Sequence, residues 1–305
     1  MTPTRLTVGI TTRDRPKALE RCLRSLTAIA HLSPEVLIFD DASTTPIDQQ
    51  LAGRDVPVPF RVLRADDAPG MIVGRNRMVR DAIATAVLLL DDDAGLIDGR
   101  SIEQALQLLD SDPRVAAVAF AQSDRHGTRW DDSMQPSRSH DACYVPAFIG
   151  FAHLVRRDAF LETGGYRETF FFYGEEKDFC LRLIDAGYRT VYLPHALVMH
   201  EPDPAGRSQQ RYLRYVTRND CLTALYNEPW YRLVWMLPGR LALYFRMRRA
   251  WKVTDPWGWV WILRELAANT GSVIRDRRPV SSETLVLWKQ LRQVPQLYRM
   301  NLPKP

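Results

Sequence analysis

The chain has 305 residues, 46% of them hydrophobic and 25% charged, with a formal net charge of +5; this is the composition of a globular protein of one large or two ordinary domains and excludes a disordered or fibrous chain. No run approaches the ~18 apolar residues that span a bilayer, and the opening MTPTRLTVGI lacks the basic-then-apolar order of a signal peptide. Cys22, Cys143, Cys180 and Cys221 are scattered without the paired spacing of a zinc site or a disulfide framework, so reduced, buried thiols in a cytoplasmic protein are expected.

LTVGI at 6–10 predicts a short buried strand. Asp14 and Pro16 then give a helix start signal, and Leu19, Cys22, Leu23 and Leu26 recur at spacings of three and four, the core stripe of an amphipathic helix. EVLIFDD at 35–41 and FRVLRA at 60–65 predict the second and third strands. A helix is expected over 71–86, followed by a fourth strand, VLLL at 87–90, that ends at Asp91. Alternating strands and helices argue for an α/β fold with a mostly parallel sheet wrapped by helices, and the near-continuous apolar runs fit strands covered on both faces. PAFIGFAHLVRRDAF at 146–160 reads as a strand and a helix start, and Gly164 and Gly165 mark a turn. Glu175 to Ala186 reads as a helix with Phe179, Leu183 and Ile184 inward, stopped by Gly187. TVYL and LVMH are two short strand runs, the second ending at His200.

Charge divides the chain in two. Residues 206–305 hold 18 Lys and Arg against 6 Asp and Glu, and seven of the eight tryptophans; residues 1–205 hold 23 basic against 30 acidic residues. A catalytic region over 1–205 and a basic, Trp-rich helical region over 206–305 are therefore expected.

The fourth strand runs straight into Asp91, Asp92 and Asp93. Such a run is either a solvated turn or the seat of a cation, or of a ligand that carries one. In open α/β sheets ligands sit beyond the carboxyl ends of strands. TTRD at 11–14, DDAS at 40–43 and DDD at 91–93 all lie at strand ends, and their convergence in one crevice favours the functional reading.

Five stretches in this order resemble a family-2 glycosyltransferase of GT-A fold: VGITTRDRP, LIFDDAS, PGMIVGRNRM, LLLDDDA and GFAHLVRRDAFLETGGYRETFFFYGEEKDFCLRLIDAGYRTVYLPHALVMH. They span roughly residues 5–203, and the last is most similar to the rhamnosyltransferase and galactofuranosyltransferase-like branch. The resemblance implies a nucleotide-binding half over 1–100 and an acceptor half over 101–205. It implies Asp93 and His200 as ligands of Mn2+ or Mg2+, Asp91 on the ribose, and Asp40 on the imide N–H of uracil or thymine. Thr11 and Arg13 flank the base, and Arg75 and Asn76 contact the diphosphate or ribose. Glu176 is the base that deprotonates the acceptor, with Asp178 in reserve. Glu175, Asp178, Tyr173 and Gly150 line the acceptor cleft. Met78 departs from the family, which often has glycine there, and Glu175–Glu176 stands where the family has Glu-Asp or a similar pair.

Each residue also has a plainer use. Asp40 and Ser43 suit an Asx-turn or helix cap; Arg75 suits a solvated helix face; Glu175 and Glu176 suit a helix N-terminus electrostatically; Phe170–Tyr173 suits a core. The implied function is an inverting, metal-dependent transfer of a sugar from a UDP- or dTDP-sugar to a saccharide or lipid-linked acceptor. A sugar nucleotidyltransferase and a non-catalytic sugar- or lipid-binding relative are the other classes. WYRLVWMLPGRLALYFRMRRAWK in the tail mixes Trp, Leu and Phe with Arg. This suits peripheral attachment to an anionic membrane better than nucleic acid, for which no role is expected; a helical subdomain covering the sheet is the plainer reading.

Overall fold

A computed structural model describes residues 4–54, 56–202 and 208–299. The expected boundary at 205/206 lies outside the described residues. The first strands are those read from the sequence: β1 (Leu6–Thr12), β2 (Glu35–Asp41), β3 (Arg61–Ala65) and β4 (Ala86–Asp91). They pair in parallel in the order β3-β2-β1-β4. Alternate residues of these strands feed two cores. Val8, Ile10, Ile38, Leu88 and Leu90 face one side, with α1 (Pro16–Ser25); Leu37, Phe39, Val87 and Leu89 face the other, with α3 (Met71–Asp81). A short helix, α2 (Ile47–Leu51), follows β2.

Beyond β4 the sheet becomes mixed. The strands β5 (Ala94–Leu96), β6 (Val115–Ser123), β7 (Cys143–Val145), β8 (Ala152–Arg156) and β9 (Arg189–His200) extend it as β7-β9-β6-β8-β4, with β5 against the end of β9. Only the β6–β9 pair there is parallel; β8 is antiparallel to both β4 and β6. The helices α4 (Arg100–Ser111), α5 (Arg157–Glu162) and α6 (Glu175–Asp185) connect these strands.

Three local expectations are corrected. Pro16 at the first turn starts α1, but Asp14 does not cap it: its carboxylate accepts the Thr44 amide at 2.7 Å and latches the ends of β1 and β2 together. The helix expected to run to 86 stops at Asp81, because Glu35 and Thr7 side chains accept the amides of Ile83 and Ala84 and satisfy the backbone outside the helix. The two short strand runs are one strand, β9. Its pairing with β6 jumps from Phe120–Leu193 to Ala121–Leu197, a bulge that accommodates Pro194.

The last hundred residues form α7 (Gln209–Asn227), α8 (Trp230–Ala250), α9 (Gly258–Ala268), α10 (Thr270–Asp276), α11 (Ser282–Gln293) and β10 (Gln296–Leu297). This region is built into the preceding sheet domain. Leu222 and Tyr226 of α7 enter the same core as Phe179, and β10 adds an antiparallel strand outside β7. All four cysteines are buried and unpaired.

The contact between α3 and β2 leaves no room for a side chain at Gly74, where a β-carbon would overlap the buried Phe39 ring. Helix propensity favours alanine there by about 1 kcal/mol, but overpacking costs about 1–3 kcal/mol. Gly74→Ala is therefore expected to lower the urea unfolding midpoint; an unchanged or raised midpoint would show that Phe39 moves aside without cost.

Candidate active site

The parallel strands place three acidic corners side by side. Thr11 is buried in register between Phe39 and Asp91, and Arg13, just past the strand, is exposed. At the end of β4, Asp92 accepts the Thr12 hydroxyl at 2.7 Å and pairs with Arg15 at 2.5 Å. Burial pushes its carboxyl up to about 7 despite that arginine. The other nitrogen of Arg15 reaches Asp93 at 3.1 Å. Arg15 was missed in the sequence; standing before Pro16 in the TTRDRP turn, it read as part of a helix start.

Asp93 and His200 meet because β5 pairs antiparallel with the end of β9, with Ala94 opposite His200. Asp93 Oδ1 lies 3.6 Å from His200 Nε2, and this buried oxygen has no hydrogen-bond partner among the described residues. The imidazole is stacked between Trp130 and Phe151, at 5.5 and 4.7 Å. Its Nδ1 bonds the Gln122 side-chain oxygen at 2.7 Å. That bond fixes the ring so that Nε2 faces the carboxylate, the outer-shell support a metal-ligating histidine uses. Among the described residues no group of three or more His, Cys, Asp or Glu is poised around a metal. A carboxylate–imidazole pair suits a hard cation that takes its remaining ligands from substrate phosphate and water.

Arg75 departs from its expected role. It is fully buried, and its guanidinium donates to Asp91 at 2.7 Å, to the Gly150 carbonyl at 2.7 Å and to Glu175 at 3.0 Å. The groups expected to bind ribose and acceptor hold it, so it does not offer its donors to a diphosphate. Asn76 is likewise turned inward, bonded to both backbone polar groups of Tyr166 and to Glu168. Asp40, fully buried, accepts the amides of Ser43 and Ile47 and pairs with Arg64 at 2.5 Å; its turn-capping use is realised, and a base would have to share it with Arg64. Asp178 is closed off by Arg167, Arg182 and Asn227, which leaves no free carboxylate oxygen for an acceptor hydroxyl.

Glu175 and Glu176 open α6 from Gly174, whose left-handed φ of 80° turns the chain into the helix. Phe171 and Tyr173 also have φ of 60° and 64°, a strained backbone that needs outside support. Asn219 of α7 supplies it, donating to the carbonyls of Phe170, Phe172 and Tyr173. Asn219 was also missed; a polar residue in a helix carries no signal of the loop it serves. Glu176 is half-buried, and one of its oxygens lies only 2.5 Å from where a side chain at Gly150 would begin, so position 150 must be glycine for the carboxylate to lie there. Burial raises both carboxyls, Glu175 to about 8, helped by the Glu176 charge; Arg75 opposes the rise in each. A part-buried carboxylate of raised pKa can take up a proton near neutral pH.

A parallel half that ends in acidic corners, joined to a mixed half that carries paired glutamates, is the architecture of GT-A glycosyltransferases. Residues 3–220 match the model for Glycosyltransferase like family 2, and the chain belongs to that family. It is 28% identical over 266 residues to the N-acetylglucosaminyl-diphospho-decaprenol L-rhamnosyltransferase of Mycobacterium tuberculosis, a match covering 74% of this chain and 86% of that protein. It is also 28% identical over 209 residues to the pre-mycofactocin glycosyltransferase of the same organism, covering 64% of this chain but only 42% of that relative's length. Among solved structures, the mannosyltransferase PcManGT of Pyrobaculum calidifontis with GDP-Man and Mn2+ superposes with a TM-score of 0.60 at 17% identity, covering 94% of this chain and 79% of that one. S. aureus TarS 1-349 with UDP-GlcNAc gives 0.61 at 16% identity, covering 94% and 87%.

Proposed function

We propose that this glycosyltransferase is inverting and cation-dependent, and that it moves a sugar from a UDP- or dTDP-sugar to a saccharide or lipid-linked acceptor at an anionic membrane. The observation that carries this reading is Arg75: one guanidinium spans from Asp91, beside the Asp93–His200 pair, to Glu175, beside Glu176. The cation-binding end and the candidate base thus share one cleft. Mn2+ with PcManGT, UDP-GlcNAc with TarS and the diphospho-decaprenol in the name of the rhamnosyltransferase support the classes of cofactor, donor and acceptor.

Asp93 and His200 would hold Mn2+ or Mg2+, which when bound offsets the charge that develops on the departing diphosphate. Glu176 accepts the proton of the acceptor hydroxyl as its oxygen attacks the anomeric carbon from the face opposite the leaving group. One attack without a covalent intermediate inverts the configuration. Arg75 pairs with Asp91 and lowers the Glu176 carboxyl directly, opposing the rise that burial and the Asp91 charge give it.

Glu176→Gln keeps the size of the side chain and removes its basicity. Transfer should fall by roughly 10²–10⁴-fold, about 3–5 kcal/mol of transition-state stabilisation, while UDP affinity measured by calorimetry stays near wild type. Because the base acts ionised and its pKa is raised, activity should decline on the acid side above the ordinary carboxylate range. With its carboxyl raised to about 8, Glu175 is mostly protonated where this acid limb falls, so Glu175→Gln mimics its neutral form and the acid limb of the pH–rate profile should stay in place. A shifted limb, or a retained sugar configuration in the product, contradicts the assignment.

For the cation, Asp93→Asn should abolish the Mn2+ dependence of donor binding in a thermal-shift titration. Normal donor binding by this variant, with activity undiminished by a chelator, rules the metal reading out.

Membrane attachment rests on α8. No helix among the described residues is long and apolar enough to cross a bilayer, but α8 turns an apolar face outward. Trp230 and Trp235 are each 75% exposed, and Tyr231, Val234 and Phe245 are exposed with them. The helix has no carboxylate and five arginines, a pattern suited to the headgroup layer of anionic lipid. The Trp230→Ala, Trp235→Ala double variant should cosediment several-fold less with phosphatidylglycerol vesicles, and salt should weaken wild-type binding. Wild-type binding that is absent, or indifferent to lipid charge, excludes the attachment.

A further inference from the structure

The aromatic residues next to the candidate base continue as a chain of rings to the outside of the helical region. Phe172 lies 3.9 Å from Tyr173, Tyr173 4.9 Å from Tyr212 of α7, and Tyr212 6.0 Å from Trp251, which is 41% exposed just past α8. A second line runs from Phe172 to Tyr215 at 6.4 Å and on to Trp261 of α9 at 5.2 Å. Beside these lines is a cavity of about 270 Å3 lined by Ser208, Gln210, Arg211, Arg214, Tyr215 and Trp261. The inner end of the chain lies near the candidate base: Phe172 and Tyr173 lead through Gly174 into the first turn of α6, which carries Glu176.

The two arginines of the cavity differ. Arg214 is consumed by Asp255, which also holds Gln210 and Tyr244. Arg211 has no carboxylate partner among the described residues. Its guanidinium carbon lies 4.9 Å from the Phe172 ring centre and 5.7 Å from that of Tyr215, and the side chain is exposed. A guanidinium with its in-plane donors unspent is suited to phosphate oxygens, and the rings around it are suited to a hydrocarbon chain. The outer end of the chain opens beside α8, the helix argued above to meet the membrane. Phosphate next to hydrocarbon, entering from a membrane and ending near a base, is the chemistry of a prenyl diphosphate.

Resting on the glycosyltransferase reading above, we propose that the cleft mouth between Phe172–Tyr173 and α7 binds the diphosphate and first isoprenoid units of a lipid-linked acceptor. Arg211 contacts the phosphate, and Tyr212 and Trp251 carry the chain. No bond is made or broken there; the site orients the acceptor so that its sugar reaches Glu176.

Calorimetric titration of the full chain with farnesyl diphosphate, at saturating UDP and Mn2+ so that the donor site is filled, tests this. Wild type should bind farnesyl diphosphate at least about tenfold more tightly than either inorganic pyrophosphate or farnesol, since each carries half of the recognised chemistry. Arg211→Gln should weaken farnesyl diphosphate about tenfold or more, with Arg211→Lys between. Trp251→Ala should weaken farnesyl diphosphate and leave pyrophosphate unchanged. Equal binding by Arg211→Gln, loss of farnesyl diphosphate binding when UDP saturates the donor site, or pyrophosphate binding as tight as farnesyl diphosphate would each overturn the proposal. Hydrolysis of the nucleotide sugar by the same variants, followed without acceptor, reads the glycosyltransferase assignment separately.

Discussion

The buried guanidinium of Arg75 is the constraint around which the rest of the molecule is arranged. A fully desolvated cation is tolerable only with its charge answered and its donors used, and the answers come from three separate places: the end of β4, the turn before β8 and the start of α6. The parallel and mixed halves of the sheet are thus pinned together at this one side chain. Removing such a cation would leave the buried Glu175 and the part-buried Asp91 without their shared partner, and breaking a buried pair in this way typically costs about 3–5 kcal/mol. The same guanidinium limits Gly150, since a side chain there would lie 3.1 Å from it as well as against Glu176.

This dependence explains what the sequence could and could not reveal. The first four strands, α1 and α6 were legible because their apolar spacing is local and strong. Family membership was legible because several motifs occur in a fixed order. Burial of individual polar groups was not, since Arg75 in GRNRM looks the same whether it meets a phosphate or two carboxylates. Asn76, Asp40 and Asp178 fall under the same rule: their expected roles needed open oxygens or nitrogens, and the partners that close them include Tyr166 for Asn76, Arg64 for Asp40 and Asn227 of a later helix for Asp178, all distant in sequence. The mixed half of the sheet was hidden for a related reason. Strand direction in β8 and β7 is set by pairing across long separations, and short apolar runs do not record it.

The helical region from α7 onward packs into the core and also holds the loop that leads to the candidate base. Asn219 holds the strained 170–173 backbone, and the family match extends to residue 220, just past this contact. The basic and aromatic bias of the region therefore serves two faces. Inward, Arg218 and Asn219 support the loop before Glu176; outward, α8 exposes rings and arginines among the described residues.

The placement of β10 has a consequence for synthesis on the ribosome. Gln296 and Leu297 pair with Tyr144 and Cys143, and the Tyr298 amide donates to the Ala142 carbonyl. The outer edge of β7 therefore stays unpaired while some hundred and fifty further residues are translated, although the parallel strands that carry the acidic corners are available from the start. Through that interval the nascent chain presents an open strand edge, the kind of surface on which neighbouring polypeptides pair edge to edge. It is a period in which holdase chaperones have something definite to cover.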